Sequence, residues 1–140
     1  GQVYGFGASS ISQLFSAYSQ NVKNAAQYIK KINEKNTAVL RGYSVSTDEK
    51  IIRDIINSIM FNYYVDFSEI SEKFQTDKNY IKNLVDFNTK KFSDFIDLNI
   101  IQIKNDKIVV SKEARLFIRN IAMEFDPLLS NKIGTYSKTI

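Results

Sequence analysis

The chain has 140 residues, a net charge of +4 from 19 basic and 15 acidic side chains, and 44% hydrophobic residues, with neither cysteine nor histidine. That composition excludes disulfides, thiolate metal sites, iron–sulfur ligation and any Ser-His-Asp or Cys-His arrangement within these residues. The length suits one domain with an appendage and a sizeable core. The charge permits an anionic partner without arguing for one.

Ten Phe and eight Tyr make the chain rich in aromatic side chains. No apolar run approaches the roughly 18 residues of a membrane span. The start at Gly1 lacks the charged region and apolar core of a signal peptide, and it reads as part of a longer protein. The lack of cysteine fits a cytoplasmic location.

In chain order, residues 2–7 (QVYGFG) read as a strand end running into a glycine turn. Gly5 and Gly7 lack the third glycine of a dinucleotide fingerprint and the Lys-Ser/Thr of a phosphate loop. Residues 8–12 are small and polar up to Ile11. Asn21 is placed to cap a helix over residues 22–34, with Ala25, Ala26, Ile29 and Ile32 on one side and lysines on the other. Residues 37–45 read as an extended connector. The expected organisation is 1–42 as one segment, 43–130 as a domain and 131–140 as a polar tail.

Ser46 and Glu49 match a capping box, and Ile51, Ile52, Ile55, Ile56 and Ile59 form the stripe of the helix behind it, ending near Asn62. Asp66 can cap a short helix over residues 67–74, with Ile70 and Phe74 inward. Asp77 can cap a helical region to about Asp97, with a break at Asn88-Thr89. Its apolar positions are Tyr80, Ile81, Leu84, Val85, Phe92, Phe95 and Ile96. Residues 100–104 and 107–110 are β-branched runs around Asn105-Asp106, a tight hairpin.

Ser111 is expected to cap a last, mostly buried helix ending at Asp126-Pro127. Its apolar face is Ala114, Phe117, Ile118, Ile121, Ala122 and Phe125, widened by Leu116 and Met123. Arg115 and Arg119 sit four apart, where like charges repel. They either lie at a packed edge or have partners, acidic side chains or an anionic ligand. The order helix, short helix, helix, two-stranded wing, helix is that of a winged helix, a fold that binds DNA or other proteins.

The carboxylates show no acid–base pair, and Asp94/Asp97 and Glu69/Glu72 read as solvated faces. Against fifteen lysines there are four arginines, Arg41, Arg53, Arg115 and Arg119. The planar fork of arginine suits carboxylates and phosphates. The competing account is chance, or ion pairs such as Arg53 with Glu49. Lysines at 73, 78, 82, 90 and 91 favour a DNA-binding reading, but Asp77, Asp86, Asp94 and Asp97 interleave with them.

Residues 5–12 (GFGASSIS), 17–21 (AYSQN), 41–56 (RGYSVSTDEKIIRDII) and 108–126 (IVVSKEARLFIRNIAMEFD) resemble, in order, the C-terminal part of oxygen-independent coproporphyrinogen III oxidases. The last segment is the most specific. Ala114 stands where members often carry glycine.

The family comprises radical SAM enzymes of heme biosynthesis, whose CxxxCxxC motif holds a 4Fe-4S cluster in a barrel. They convert two propionates of coproporphyrinogen III to vinyl groups with S-adenosylmethionine. The resemblance implies a mainly α fold with a small β-hairpin: a winged-helix-like C-terminal domain preceded by a strand-helix remnant of the radical SAM barrel. It implies that the domain covers the active site and is not catalytic alone, with no cofactor expected on this part by itself.

By resemblance Ile11, with Gly5 and Gly7, lies beside S-adenosylmethionine. Arg53 and Arg119 are the candidates for the anionic porphyrinogen. The expected partner is the catalytic barrel of the same parent chain, with no nucleic acid and no membrane. Self-association through the N-terminal segment is also expected, because an orphan strand edge invites pairing. The alternative is a winged-helix DNA-binding or protein-interaction module.

Overall fold

The computed structural model describes residues 1–130; the expected tail at 131–140 lies outside them. The chain divides into two compact units, Gly1–Lys50 and the residues from Ile51 onward.

The first unit is a three-stranded antiparallel sheet in the order β1 (Ile11–Gln13), β2 (Ala17–Asn21), β3 (Val39–Ser44), with helix α1 (Ala25–Lys35) between β2 and β3. Three sequence expectations are corrected here. Residues 2–7 form no strand of their own; Val3 alone bridges to Gln13, through two 2.8 Å backbone hydrogen bonds. Residues 37–45 are not a connector, because β3 pairs with β2 along its length. Asn24, not Asn21, caps α1: its Oδ1 accepts from the N–H of Gln27 at 3.0 Å, while Asn21 closes β2. Left-handed Asn36 ends α1, its N–H reaching the Ile32 carbonyl.

The core of this unit is thin. Val22, Ala38 and Val45 are its buried apolar residues, and α1 buries none.

The second unit matches a winged-helix-like domain. Helix α2 (Thr47–Asn62) starts at the expected capping box, where Glu49 accepts from the Ser46 N–H at 2.8 Å and Ser46 Oγ accepts from the Glu49 N–H at 3.2 Å. Ile51, Ile55 and Ile59, one turn apart, are fully buried. Strand β4 (Tyr64–Asp66) follows, then α3 (Phe67–Phe74), capped by Asp66, and α4 (Lys78–Leu84), capped by Asp77.

The helical region expected to reach Asp97 stops at Leu84. Asp86 takes a left-handed φ of 48°, and α5 (Ser93–Asp97) resumes after the gap. Tyr80 is exposed rather than inward, about 100° around the turn from the fully buried Ile81.

The wing is β5 (Ile101–Lys104) and β6 (Lys107–Val110), joined by Asn105-Asp106 with Asn105 at φ 56°. Strand β4 adds to β6, giving the order β4-β6-β5. The core joins the buried isoleucines to Phe67, Phe92 and Phe125. Phe87 stacks 5.0 Å from Phe67 and 5.5 Å from Phe92, and Phe125 lies 5.0 Å from Phe92.

The last helix differs from expectation. Glu113–Phe117 is a 3₁₀ turn, α6 covers Ile118–Met123, and α7 (Pro127–Ser130) follows. Ser111 does not cap with its side chain; its carbonyl accepts from Ala114 N–H, as a 3₁₀ start requires. Ala114, Ile121, Ala122 and Phe125 are buried, but Phe117, expected on the same face, is 56% exposed. Leu116 is 92% exposed and Met123 47%. At about 100° per residue Met123 falls roughly 160° from Ile121, and Leu116, in the 3₁₀ turn at about 120° per residue, also falls on the opposite side. They form an outward stripe instead of widening the buried face.

Candidate functional site

The loop before β1 is held by side chains from elsewhere in the first unit. Gly5 N–H donates to Ser12 Oγ at 3.1 Å, and Gly7 N–H donates to the Tyr28 hydroxyl at 3.3 Å. The Gly7 carbonyl accepts from Ser10 Oγ at 2.8 Å and from Asn21 Nδ2 at 3.0 Å. Asn21 Nδ2 also reaches Ser10 Oγ at 3.0 Å. Asn21 thus holds the loop from the end of β2, where a register shift lies between Gln20 and Asn21.

Both glycines are needed by the backbone itself. A Cβ on Gly5 would stand 2.6 Å from the Ile11 carbonyl oxygen, and Gly7 has φ +95°. The loop therefore delivers Ile11 onto β1 with its side chain 57% exposed. The structure brings Gly5, Gly7 and Ile11 together.

Strand register sets what surrounds Ile11. Ile11 is opposite Gln20, and Gln20 opposite Arg41; two residues along, Gln13 is opposite Tyr18, and Tyr18 opposite Tyr43. Side chains alternate between faces, so these two rows share one face of the sheet. Tyr43 donates its hydroxyl to Glu49, which raises the phenol above its ordinary pKa and holds the Glu49 carboxyl below its own. The sequence offered no signal for Gln20 beyond the alternation within AYSQN, which is short and polar, and it marked Asn21 as a helix cap rather than as the brace of this loop.

Arg53 and Arg119 stand on α2 and α6. Arg53 is half-buried, Arg119 exposed. Arg119 has no hydrogen-bond or ion-pair partner among the described residues. Arg115 has an aromatic partner: its guanidinium carbon lies 4.0 Å from the centre of the Tyr63 ring.

The lysines of α3, α4 and the following loop are mostly occupied. Lys73 pairs with Asp54 at 2.8 Å, Lys78 and Lys82 with Asp106 at 2.7 and 2.6 Å, and Lys91 donates to the Glu124 carbonyl at 2.6 Å. Four of the five lysines that favoured DNA binding thus have partners within the domain. A helix placed to read a groove would instead offer them to phosphates.

No protein-family model matches the chain. It is 31% identical over 128 residues to the oxygen-independent coproporphyrinogen III oxidase of Escherichia coli, covering 91% of this chain and 27% of that protein. It is 29% identical over 140 residues to the enzyme of the same name from Helicobacter pylori, covering 99% of this chain and 30% of that one. Among solved structures it matches Escherichia coli coproporphyrinogen III oxidase, described as a radical SAM enzyme. The TM-score is 0.77 at 29% identity, over 91% of this chain and 29% of that one. The chain is homologous to oxygen-independent coproporphyrinogen III oxidase and shares its fold over most of its own length. It spans less than a third of the length of these relatives.

The cofactors of such an enzyme fit this chain unequally. An iron–sulfur cluster does not fit, since the sequence has no cysteine, and the described residues hold no group of metal-ligating side chains. S-adenosylmethionine fits in one respect: Ile11 is an exposed apolar side chain on a braced strand. No helix among the described residues is long and apolar enough to cross a membrane.

Proposed function

We propose that this chain is the C-terminal portion of an oxygen-independent coproporphyrinogen III oxidase, acting in porphyrin and heme biosynthesis. The observation that carries the reading is the match of nearly the whole chain, in sequence and in fold, to a fraction of such enzymes. Residues 1–42 are the end of the catalytic barrel with its linker helix. Residues 43–130 are the domain that covers the active site.

The exposed apolar residues of the first unit, Val3, Tyr4, Phe6 and Phe15 among them, support this division. They are the surface that a barrel's remaining strands and helices would bury. Ile11 supplies an apolar contact beside S-adenosylmethionine, and the braced loop fixes where that contact falls. When bound, S-adenosylmethionine supplies the hydrogen-abstracting radical for propionate oxidation. Arg53 and Arg119 face the propionates of the anionic porphyrinogen, Arg119 with its N–H groups uncommitted among the described residues.

The test is the longer protein encoded by the same gene. It should carry CxxxCxxC upstream and, reduced anaerobically with S-adenosylmethionine, should convert coproporphyrinogen III to the divinyl product. The 140-residue chain alone should release no deoxyadenosine. A longer protein without the cysteine motif, or with it but inactive on coproporphyrinogen III, would sink the reading.

A further inference from the structure

We propose that Arg41, held in place by Gln20, binds a ligand carboxylate on the sheet face that carries Ile11. The inference rests on the functional reading above and adds a residue to it. Arg41 donates from Nε and Nη2 to Gln20 Oε1 at 2.9 and 2.6 Å. Gln20 in turn donates from Nε2 to the Ser9 carbonyl at 3.4 Å, within the loop that positions Ile11. The amide is thus bonded at both ends, more weakly at Ser9, and the guanidinium takes its orientation from it.

What remains open on Arg41 is specific. Two of its five N–H groups are used, both on the Nε side of the fork. The Nη1–Nη2 edge, which matches a carboxylate in bidentate fashion, has no partner among the described residues. Gln20 is neutral, so it orients the cation without cancelling its charge, and Arg41 makes no ion pair among the described residues.

The surroundings supply the rest of a binding face. Ile11, Tyr18 and Tyr43 line the same depression as Gln20 and Arg41, with a volume of about 290 Å³. Tyr43 has its hydroxyl committed to Glu49, so it offers its ring. An apolar body against Ile11 and the tyrosines, ending in a carboxylate on Arg41, fits this face. Ligand pockets usually run from about 300 to 1,000 Å³. This one therefore suits one arm of a larger molecule. Two carboxylates meet that description in the proposed enzyme: a propionate of the porphyrinogen and the amino-acid end of S-adenosylmethionine.

The experiment uses the full-length protein and three substitutions, Arg41→Ala, Arg41→Lys and Gln20→Ala. Each is assayed anaerobically with coproporphyrinogen III and S-adenosylmethionine varied in turn. Binding of coproporphyrin III, the stable oxidised form of the substrate, and of S-adenosylmethionine is followed separately by fluorescence and calorimetry. Arg41→Ala should weaken one of the two ligands about tenfold or more in both KM and Kd, with kcat and thermal midpoint little changed. Arg41→Lys should recover only part of this, because an ammonium lacks the planar fork. Gln20→Ala should fall between.

A porphyrin effect assigns the propionate; an S-adenosylmethionine effect assigns its carboxylate. An active enzyme in which all three substitutions leave both affinities within about twofold overturns the subsite while leaving the functional reading standing. An unaltered full-length protein that turns over no coproporphyrinogen III overturns that reading and the subsite with it.

Discussion

Lys82 Nζ stands 2.6 Å from Oδ1 of Asp106, and through that contact α4 is tied to the turn of the wing. Lys78, one turn earlier on α4, takes the other oxygen of the same carboxylate at 2.7 Å. The Asp106 backbone adds a third link, its carbonyl accepting from the first residue of α3, Phe67, at 2.9 Å. The wing turn is therefore fastened to both helices in front of it. Two of the lysines that favoured a DNA-binding reading thus serve the internal order of the domain.

This fastening should depend on acid. Hydrogen bonds from Lys78 and Lys82 hold the Asp106 carboxyl at a pKa of about 2. A lowered carboxylate pKa contributes stability that is complete above the ordinary value of about 3.9 and is lost as pH falls through the folded value. The window is thus about pH 4 down to about 2. Asp106→Asn should cost about 1 kcal/mol near neutrality, the scale of partly exposed ion pairs. That cost should shrink across the window. Urea midpoints of the two proteins at pH 7, 3 and 2 check this, and a difference that is the same at all three pH values would contradict it. On the alkaline side, the raised pKa of Lys78 keeps its contribution present below about 10.4 and loses it above its folded value.

The wing was legible in sequence because its strands are dense in β-branched residues and its turn falls on Asn-Asp. The capping residues Ser46, Asp66 and Asp77 were legible because each cap is a local event: a side chain bonding an N–H two or three residues on. The first unit was less legible. Its strands β1 and β2 are short and mostly polar, and they exist through pairing with residues far along the chain, which no local period records. The last helix was misread in its first turn, where the chain tightens to 3₁₀. Leu116 and Met123 were misjudged by composition, since their angular position already put them outside. Of the candidate site, Ile11 and the glycines were visible as a pattern. Gln20 and Asn21, which brace it, became visible only once register placed them beside the loop.

Gly5 gives a second prediction. A methyl group there would lie 2.6 Å from the Ile11 carbonyl oxygen and 2.8 Å from its carbon, both backbone atoms that cannot swing aside. Gly5→Ala should therefore displace the start of β1 and cost roughly 1–3 kcal/mol, as overpacking does. The first unit should show this in amide hydrogen exchange, with lost protection at Gln13 and Val3, which bond each other across the bridge. Unchanged protection at both would mean that the loop yields more easily than its bracing implies.

The exposed apolar surface of the first unit gives a third. Phe6 is 88% exposed, and β1 and β3 are the outer strands of their sheet. Outer strands leave backbone donors and acceptors unpaired. The isolated chain should self-associate through residues 1–41, by strand addition or exchange. Light scattering on the chain with and without those residues tests it, and equal monomer masses would rule it out.

The last prediction contrasts two neighbours on α6. Ile121 is fully buried, in the cluster that includes Phe125 and Phe92. Ile121→Ala should cost roughly 2–5 kcal/mol, because the cavity adds to the lost transfer energy. Against a typical stability of about 5–15 kcal/mol, this is a large share. Arg119 lies two residues earlier and faces outward, with no hydrogen-bond or ion-pair partner among the described residues. Surface substitutions of that kind usually change stability by no more than about 0.5 kcal/mol. Arg119→Ala should therefore leave the denaturant midpoint of the isolated chain almost unmoved. If Arg119 holds a propionate, the same substitution in the full-length enzyme should raise KM for coproporphyrinogen III and leave KM for S-adenosylmethionine alone. A midpoint loss in the isolated chain comparable to that of Ile121→Ala would make Arg119 a structural residue, and its assignment to substrate would fall.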